Sequence, residues 1–361
     1  MSAAAASRQR PARSRRERGA GRLRRIASRL AATLVVAGLA TAGWLAWVGE
    51  TTTVKLGAGA PPMRLLVAPG ANADSIGRDL QALGLVHHPA VFRLLARVRG
   101  VSGQLKAGEY ELSGPLSLEQ VLDKLVRGDV LRRPITVPEG RTLAEIADLV
   151  GAQGLDRESF VRAASDPAPV RDLDPAARDL EGYLFPDTYD LPRTPDAPEV
   201  LVHRMTQRFR AVLAPQLPSI ARRGLSVRQV VTMASIVELE TGQVEERPRI
   251  AAVFLNRLQK GMLLQTDPTV IYALKKAGRW NGNIRKPDLQ LDSPYNTYRH
   301  AGLPPGPIGC PGREAILAVV DPAPTKALYF VSRNDGTHQF SETLAQHNRA
   351  VDKYQRRRAA S

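Results

Sequence analysis

Cysteine is almost missing from this chain: Cys310 stands alone among 361 residues, which excludes an intrachain disulfide and a cysteine-built metal cluster. That suits a cytosolic protein, or a bacterial envelope protein made without disulfides, and does not choose between them. The six histidines show no metal-ligand spacing, and His338 and His347 straddle an expected hairpin-to-helix junction, where a structural role is the commoner one. No glycine-rich phosphate loop lies between a strand and a helix, and no serine nucleophile elbow is present. Neither a metal nor a cofactor is therefore expected. Acidic residues are scarce at the N-terminus: residues 1–29 hold ten arginines against the single acid Glu17, and account for +9 of the formal net charge of +16. Charge of either sign then disappears for nineteen residues, from Leu30 to Val48.

A tail so basic could meet nucleic acid or anionic lipid. The uncharged run directly after it, LAATLVVAGLATAGWLAWV, decides for lipid, being about the length a helix needs to cross a bilayer. With the arginines on its N-terminal side, residues 1–29 are expected in the cytoplasm and residues 49–361 outside the cytoplasmic membrane. Ala40-Thr41-Ala42 could serve a signal-peptide cleavage, but the apolar run continues through Trp44 to Val48, which suits an anchor better. Nucleic acid is accordingly not an expected partner.

Residues 49–64, rich in Thr, Gly, Ala and Pro, read as a tether. The first folded region is expected over 65–155, where Val67, Gly70, Ile76, Gly84 and Leu85 recur seventy residues later as Val137, Gly140, Ile146, Gly154 and Leu155. Each copy reads as a short strand, a turn at Gly, a helix (75–83 and 143–153) and a Gly stop. Between them, residues 107–112 alternate like a strand, and Ser117 caps a helix to about Val126. Such β-α units resemble LysM-like wall-binding modules; a plain α+β spacer is the equal alternative. The rest, 156–361, is expected to form a mainly helical α+β domain, so the overall class is α+β. Within it, 166–198 reads as a long loop crowded with Asp and Pro, and its Tyr183, Phe185 and Tyr189 would form a sugar platform or, more commonly, a plug against the core. Helices are expected from Ser226 to about Thr241, from Arg247-Pro248 to Gly261, and from Asp267-Pro268 onward; 292–312 reads as a Pro/Gly loop. Asn334-Asp335-Gly336 signals a hairpin between 328–332 and 338–340, and Ser341 starts a last helix.

One helix carries an anomaly. Stepping back from Glu240 by about 100° per residue puts Met233 within about 20° of it, Ile236 within about 40° and Val237 within about 60°, while Glu238 falls about 160° away. Glu240 thus sits in the apolar face. A carboxyl there must find partners or keep its proton, which is how a general acid for glycoside cleavage is prepared. The plainer alternative is that Glu240 ends the helix in solvent or pairs with Arg247 or Arg249. Asp267 is the obvious second acid, but Asp before Pro at a helix start is more often an N-cap. Gln265, Asn296 and Tyr298 are loop polar groups suited to orienting acetamido or hydroxyl groups, or to satisfying loop backbone.

The segment Ala234-Ser235-Ile236-Val237-Glu238-Leu239-Glu240-Thr241 resembles the catalytic stretch of MltG-type (YceG-like) endolytic transglycosylases. So do residues 253–258, Leu264-Gln265-Thr266-Asp267-Pro268, Tyr295-Asn296-Thr297-Tyr298, residues 302–308, Leu344-Ala345-Gln346-His347-Asn348, and, upstream, 106–110 and the 181–189 loop. The resemblance runs from about residue 30 to the end. It implies a membrane-anchored enzyme acting on peptidoglycan glycan strands, possible association with penicillin-binding proteins, and Glu240, the glutamate before Thr, as catalytic acid, with Glu238 in support. It also implies cleavage between N-acetylmuramic acid and N-acetylglucosamine without net addition of water, closing a 1,6-anhydro ring. A muramidase-type hydrolase using Glu240 with Asp267, and an inactive wall-binding protein, are the alternatives.

Overall fold

The computed structural model describes residues 29, 32–40 and 61–356. Residues 32–40 are helical, and among the described residues no helix is long and apolar enough to cross a membrane. The rest of the expected span, its basic tail apart from Arg29, and most of the tether lie outside the described residues. The remainder is a mixed α and β structure with small two-stranded sheets, in two compact units that divide after Val130.

In the first unit, β1 (Met63–Val67) pairs antiparallel with β2 (Gly108–Leu112), Leu65 opposite Tyr110. Between the strands lie α1 (Ala73–Ala82), capped by a reciprocal Asn72–Ser75 box, and α2 (Pro89–Val98), which starts on its proline. The second of these helices was not evident in the sequence. A Cβ on Gly77 would sit 2.6 Å from the Pro89 carbonyl oxygen, so α1 and α2 meet where only glycine fits. Next comes α3 (Leu118–Arg127), capped by Ser117 and ended by Gly128 in the left-handed region. Leu65, Ile76, Leu80, Phe92, Tyr110, Leu122 and Leu125 fill the core, and the Tyr110 hydroxyl donates to the Lys106 carbonyl at 2.7 Å.

The second unit opens with the second copy of the repeat. β3 (Arg132–Thr136) pairs antiparallel with β4 (Thr188–Pro192), and α4 (Leu143–Ala152) carries a Thr142–Glu145 capping box. Gly70 and Gly140 have matching φ angles of 73° and 74°, and Gly84 and Gly154 share 71°. The repeat is thus real as strand, turn, helix and stop. Its copies nevertheless belong to different cores, because Val137 and Ile146 pack with the second unit and Val67 and Ile76 with the first. The packing boundary falls between the copies, not after Leu155.

α5 (Arg157–Ala164) leads into the stretch expected to be loop. There, β4 forms despite its Asp and Pro, since pairing with β3 outweighs intrinsic preference. The helix α6 (Ala197–Leu213), also not foreseen, buries Leu201, Met205, Phe209 and Leu213 at helical spacing. Tyr183, Phe185 and Tyr189 are buried, Tyr183 edge-on to Phe209 at 5.3 Å, so this aromatic loop plugs the core. After the short α7 (Leu217–Arg222) comes α8 (Val227–Glu240), the centre of the unit: every residue from Val230 to Val237 is buried. Around it pack α9 (Arg247–Gln259), α10 (Asp267–Lys276) and α11 (Arg313–Val320). The hairpin β5 (Tyr329–Ser332) and β6 (His338–Ser341) and the helix α12 (Leu344–Val351) complete it; the last helix is capped by Thr343, later than the expected Ser341.

Candidate active site

α8 ends with its two glutamates in different surroundings. Glu238 accepts from Arg247 at 2.5 Å and, through its other oxygen, from the Gly312 N–H at 2.9 Å. Both Glu238 and Arg247 are almost wholly buried, with Glu139 3.5 Å from the same guanidinium. Burial pushes the Glu238 carboxyl up, against the pull of the Gly312 N–H and of Arg247, and Glu139 adds to the rise. This pair ties α8 to the start of α9 and to the loop before α11. It is architecture.

Glu240 lies elsewhere. The arginines considered as its partners are engaged, Arg247 with Glu238 and Arg249 over the Phe340 ring at 4.4 Å. Its Oε2 accepts the Thr266 hydroxyl at 2.6 Å, and no donor reaches the other oxygen among the described residues. Burial raises its pKa above the ordinary value of 4.5, and the negative charge of Asp267 adds to the rise; Thr266, His338 and Arg257 pull the other way. Thr266 is itself fixed from behind: its N–H donates to the Thr297 hydroxyl at 3.2 Å, and its carbonyl accepts from Thr269 at 2.7 Å. These buried threonines, legible in sequence only as part of a motif, set the orientation of the carboxyl.

Glu240 opens on a cleft of about 570 Å³, walled by α9, the turn before α10, the loop at Tyr298, the β5–β6 hairpin and α12. Gln265, Asp267 and Tyr298 line it with Glu240, so four of the expected residues converge. Gln265 is exposed and holds a left-handed backbone, φ 50°, which is uncommon for a residue with a side chain. Its N–H donates to the Thr297 carbonyl at 3.1 Å, which holds that turn against the Tyr298 loop.

Two expectations change. Asp267 is not the cap of its helix: Thr266 occupies the N-cap, Asp267 is the first helical residue, and its Oδ1 accepts the Tyr298 hydroxyl at 2.6 Å. Burial and that bond push the Tyr298 phenol up. Asn296 is fully buried and does not line the cleft; its amide donates to the Leu289 and Leu291 carbonyls and its oxygen accepts the Tyr298 N–H at 3.0 Å. It shapes the loop that presents Tyr298.

The cleft also holds residues that the sequence did not single out or left as structural. Arg257 donates to the Leu264 and Leu328 carbonyls at 2.6 Å each and lies 5.3 Å from the Tyr329 ring centre; burial lowers its pKa. Tyr329 stacks on His347, whose pKa burial also lowers. His338 faces the same space. They come from the hairpin and the last helix, far from Glu240 in sequence, and the described residues contain no cluster of His, Cys, Asp and Glu able to hold a metal.

A family profile described as YceG-like matches residues 65–353. An endolytic murein transglycosylase of Bacillus subtilis (strain 168) is 33% identical over 308 residues, spanning 80% of this chain and 83% of the relative. One of Streptococcus pneumoniae (strain D39) is also 33% identical, over 79% of this chain and 57% of the longer relative. The crystal structure of a YceG-like protein from Listeria monocytogenes matches with a TM-score of 0.55 and 31% identity, covering 80% of this chain and 99% of that one. Profile, relatives and fold agree over the region that builds the cleft, and this chain belongs to the YceG-like family.

Proposed function

We propose that the protein is an endolytic peptidoglycan lytic transglycosylase in which Glu240 acts first as acid and then as base. The observation that carries this reading is a carboxyl raised in pKa by burial, held at one oxygen by Thr266 and open at the other to a glycan-sized cleft. The protonated Glu240 gives its proton to the oxygen bridging N-acetylmuramic acid and N-acetylglucosamine, and the C1–O bond breaks. The carboxylate so formed takes the proton of the muramic-acid C6 hydroxyl, whose oxygen closes onto C1. The proton count balances, no water is consumed, and the tethered hydroxyl is at high effective concentration beside C1. Gln265 and Tyr298 serve to orient the sugar.

Asp267 keeps one alternative open, a muramidase, because it lines the same cleft and a hydrolase pairs two carboxyl groups. Its bond from Tyr298 favours a positioning role instead. Digestion of purified peptidoglycan in heavy-oxygen water separates the two. Muramic-acid ends lighter by one water and free of label are expected, and label at C1 would establish hydrolysis. We also propose, from the uncharged run 30–48 behind its arginines, a single-pass anchor with the catalytic unit outside the cytoplasmic membrane. The β-α units of the first unit suit a LysM-like wall-binding role or a plain spacer equally, and the family resemblance suggests action beside penicillin-binding proteins. Alkaline phosphatase fused after Ser361 should be active; an inactive fusion of normal abundance would refute that topology.

A further inference from the structure

The β5–β6 hairpin is bound to the connection between α8 and α9. Glu246, in the short turn before α9, accepts the His338 backbone N–H at 2.9 Å with one oxygen and faces the ring Nδ1 at 2.6 Å with the other. At the hairpin tip, a Cβ on Gly336 would meet the Gln243 side chain at 3.2 Å, so the same turn packs there too. The His338 ring stands edge-on to Phe330 at 5.5 Å, and Phe330 is edge-on to Phe254 in the core at 5.7 Å. Position, tilt and one nitrogen of the imidazole are thereby fixed. Side-chain exposures of 13% for His338 and 16% for Glu246 make this a largely buried pair, of which His338 lines the cleft.

A purely structural histidine at such depth is expected to satisfy both nitrogens. Here Nδ1 is taken by Glu246, while Nε2 has no protein partner among the described residues and is not sealed from solvent. The ring lines the cleft into which Glu240 opens, close enough to influence that carboxyl's pKa. A carboxylate orienting one imidazole nitrogen so that the other meets a ligand is a recurring arrangement.

We propose that His338, aimed by Glu246, is a glycan-contacting residue whose Nε2 hydrogen-bonds a hydroxyl or acetamido group of the bound strand. The proposal rests on the cleft being the glycan site. His338 then contributes binding, with Glu246 as its positioning residue, and Glu240 retains the proton transfers. The hairpin that carries His338 and the stretches that carry Gln265 and Tyr298 line the same cleft, so the strand is held by separate parts of the chain.

Asparagine and glutamine separate the two nitrogens. His338→Asn can keep a donor near Nδ1 for Glu246 but places nothing at Nε2, whereas His338→Gln carries its amide to the Nε2 position. With Glu240 in place, His338→Asn is expected to raise KM about tenfold with kcat little changed, and His338→Gln to restore most of the loss. In the cleavage-deficient Glu240→Gln background, calorimetry with purified glycan strands should show the same ranking in Kd. A separate measurement needs no substitution at His338: carbethoxylation of its Nε2 by diethyl pyrocarbonate, read by mass spectrometry, should be suppressed by saturating strands in Glu240→Gln protein. Unchanged KM and Kd in His338→Asn, a Gln variant no better than Asn, or modification unaffected by strands would each overturn the proposal. Were Glu240→Gln to cut strands, the acid assignment would fall instead, and the KM comparison would still decide His338.

Discussion

Glu238 and Glu240 leave α8 two residues apart, and their carboxyls have opposite fates: one is closed in a buried pair with Arg247, the other opens on the cleft with Thr266 bonded to one of its oxygens. Substitution should separate them. Glu240→Gln is expected to lower cleavage by at least about 100-fold, as loss of a general acid does, with the circular dichroism spectrum unchanged. Glu238→Gln should retain far more activity but lose about 1–3 kcal/mol of stability, because buried Arg247 is left without its nearest counter-charge. Turnover assays beside denaturant melts check both; the reverse ranking of activities would show that the wrong glutamate has been assigned.

Glu181 provides a pH test away from the chemistry. Burial raises its pKa to about 8, although it accepts the Leu143 N–H at the start of α4 and faces the Tyr272 hydroxyl. In the unfolded chain it titrates near 4.5. The folded protein therefore holds this proton more firmly, and the associated stability is complete below about pH 4.5 and drains away as pH rises through about 8. Glu181→Gln keeps an acceptor for Leu143 but has no proton to lose. Its melting temperature, relative to wild type, should climb between pH 4.5 and 8 and level off above. A difference that shrinks over that range would contradict the raised pKa.

At Gln265 stability and activity should part. Its φ of 50° costs about 1 kcal/mol for a residue with a Cβ, and glycine relieves it. After the extra freedom glycine gives the unfolded chain, Gln265→Gly should be equal to wild type in stability or better by up to about 1 kcal/mol. Cleavage should nevertheless fall about tenfold, since the side chain lines the cleft. Equal activity in the glycine variant would remove Gln265 from the sugar site.

Tyr298→Phe removes the hydroxyl bonded to Asp267 and leaves the ring. A loss of about tenfold in kcat/KM with a change in stability below about 1 kcal/mol is expected. Paired kinetics and melts on the one variant would show it.

Features governed by neighbours in sequence were legible beforehand. Ser226 and Ser117 cap the helices they were expected to begin, Pro248 starts α9, and the Asn334-Asp335-Gly336 turn joins β5 and β6. The place of Glu240 on an apolar face came from helical periodicity and led to the cleft. Tertiary pairing was not legible. β4 exists because β3 lies beside it, and the choice of Glu238 by Arg247 depends on where α9 turns back against α8. Asn296 could be read as a ligand-binding amide or as a partner for loop backbone, and it is spent on the backbone, a distinction that needs all three bonds in view. His338 and Arg257 reach the cleft only once the chain has folded back, and nothing in their local spacing marks them.

The bond between Glu246 and His338 joins positions 92 residues apart, and the hairpin that carries His338 follows α11 in the chain. Contacts of such long loop span form late, because closure entropy must be met before they can contribute. A nascent chain that has emerged only through α11 can build the central helix and its acid but lacks one wall of the cleft. The cleft is thus complete only once the hairpin has been made and has closed onto the turn before α9, so the central helix and its acid can stand for a time as half of a jaw.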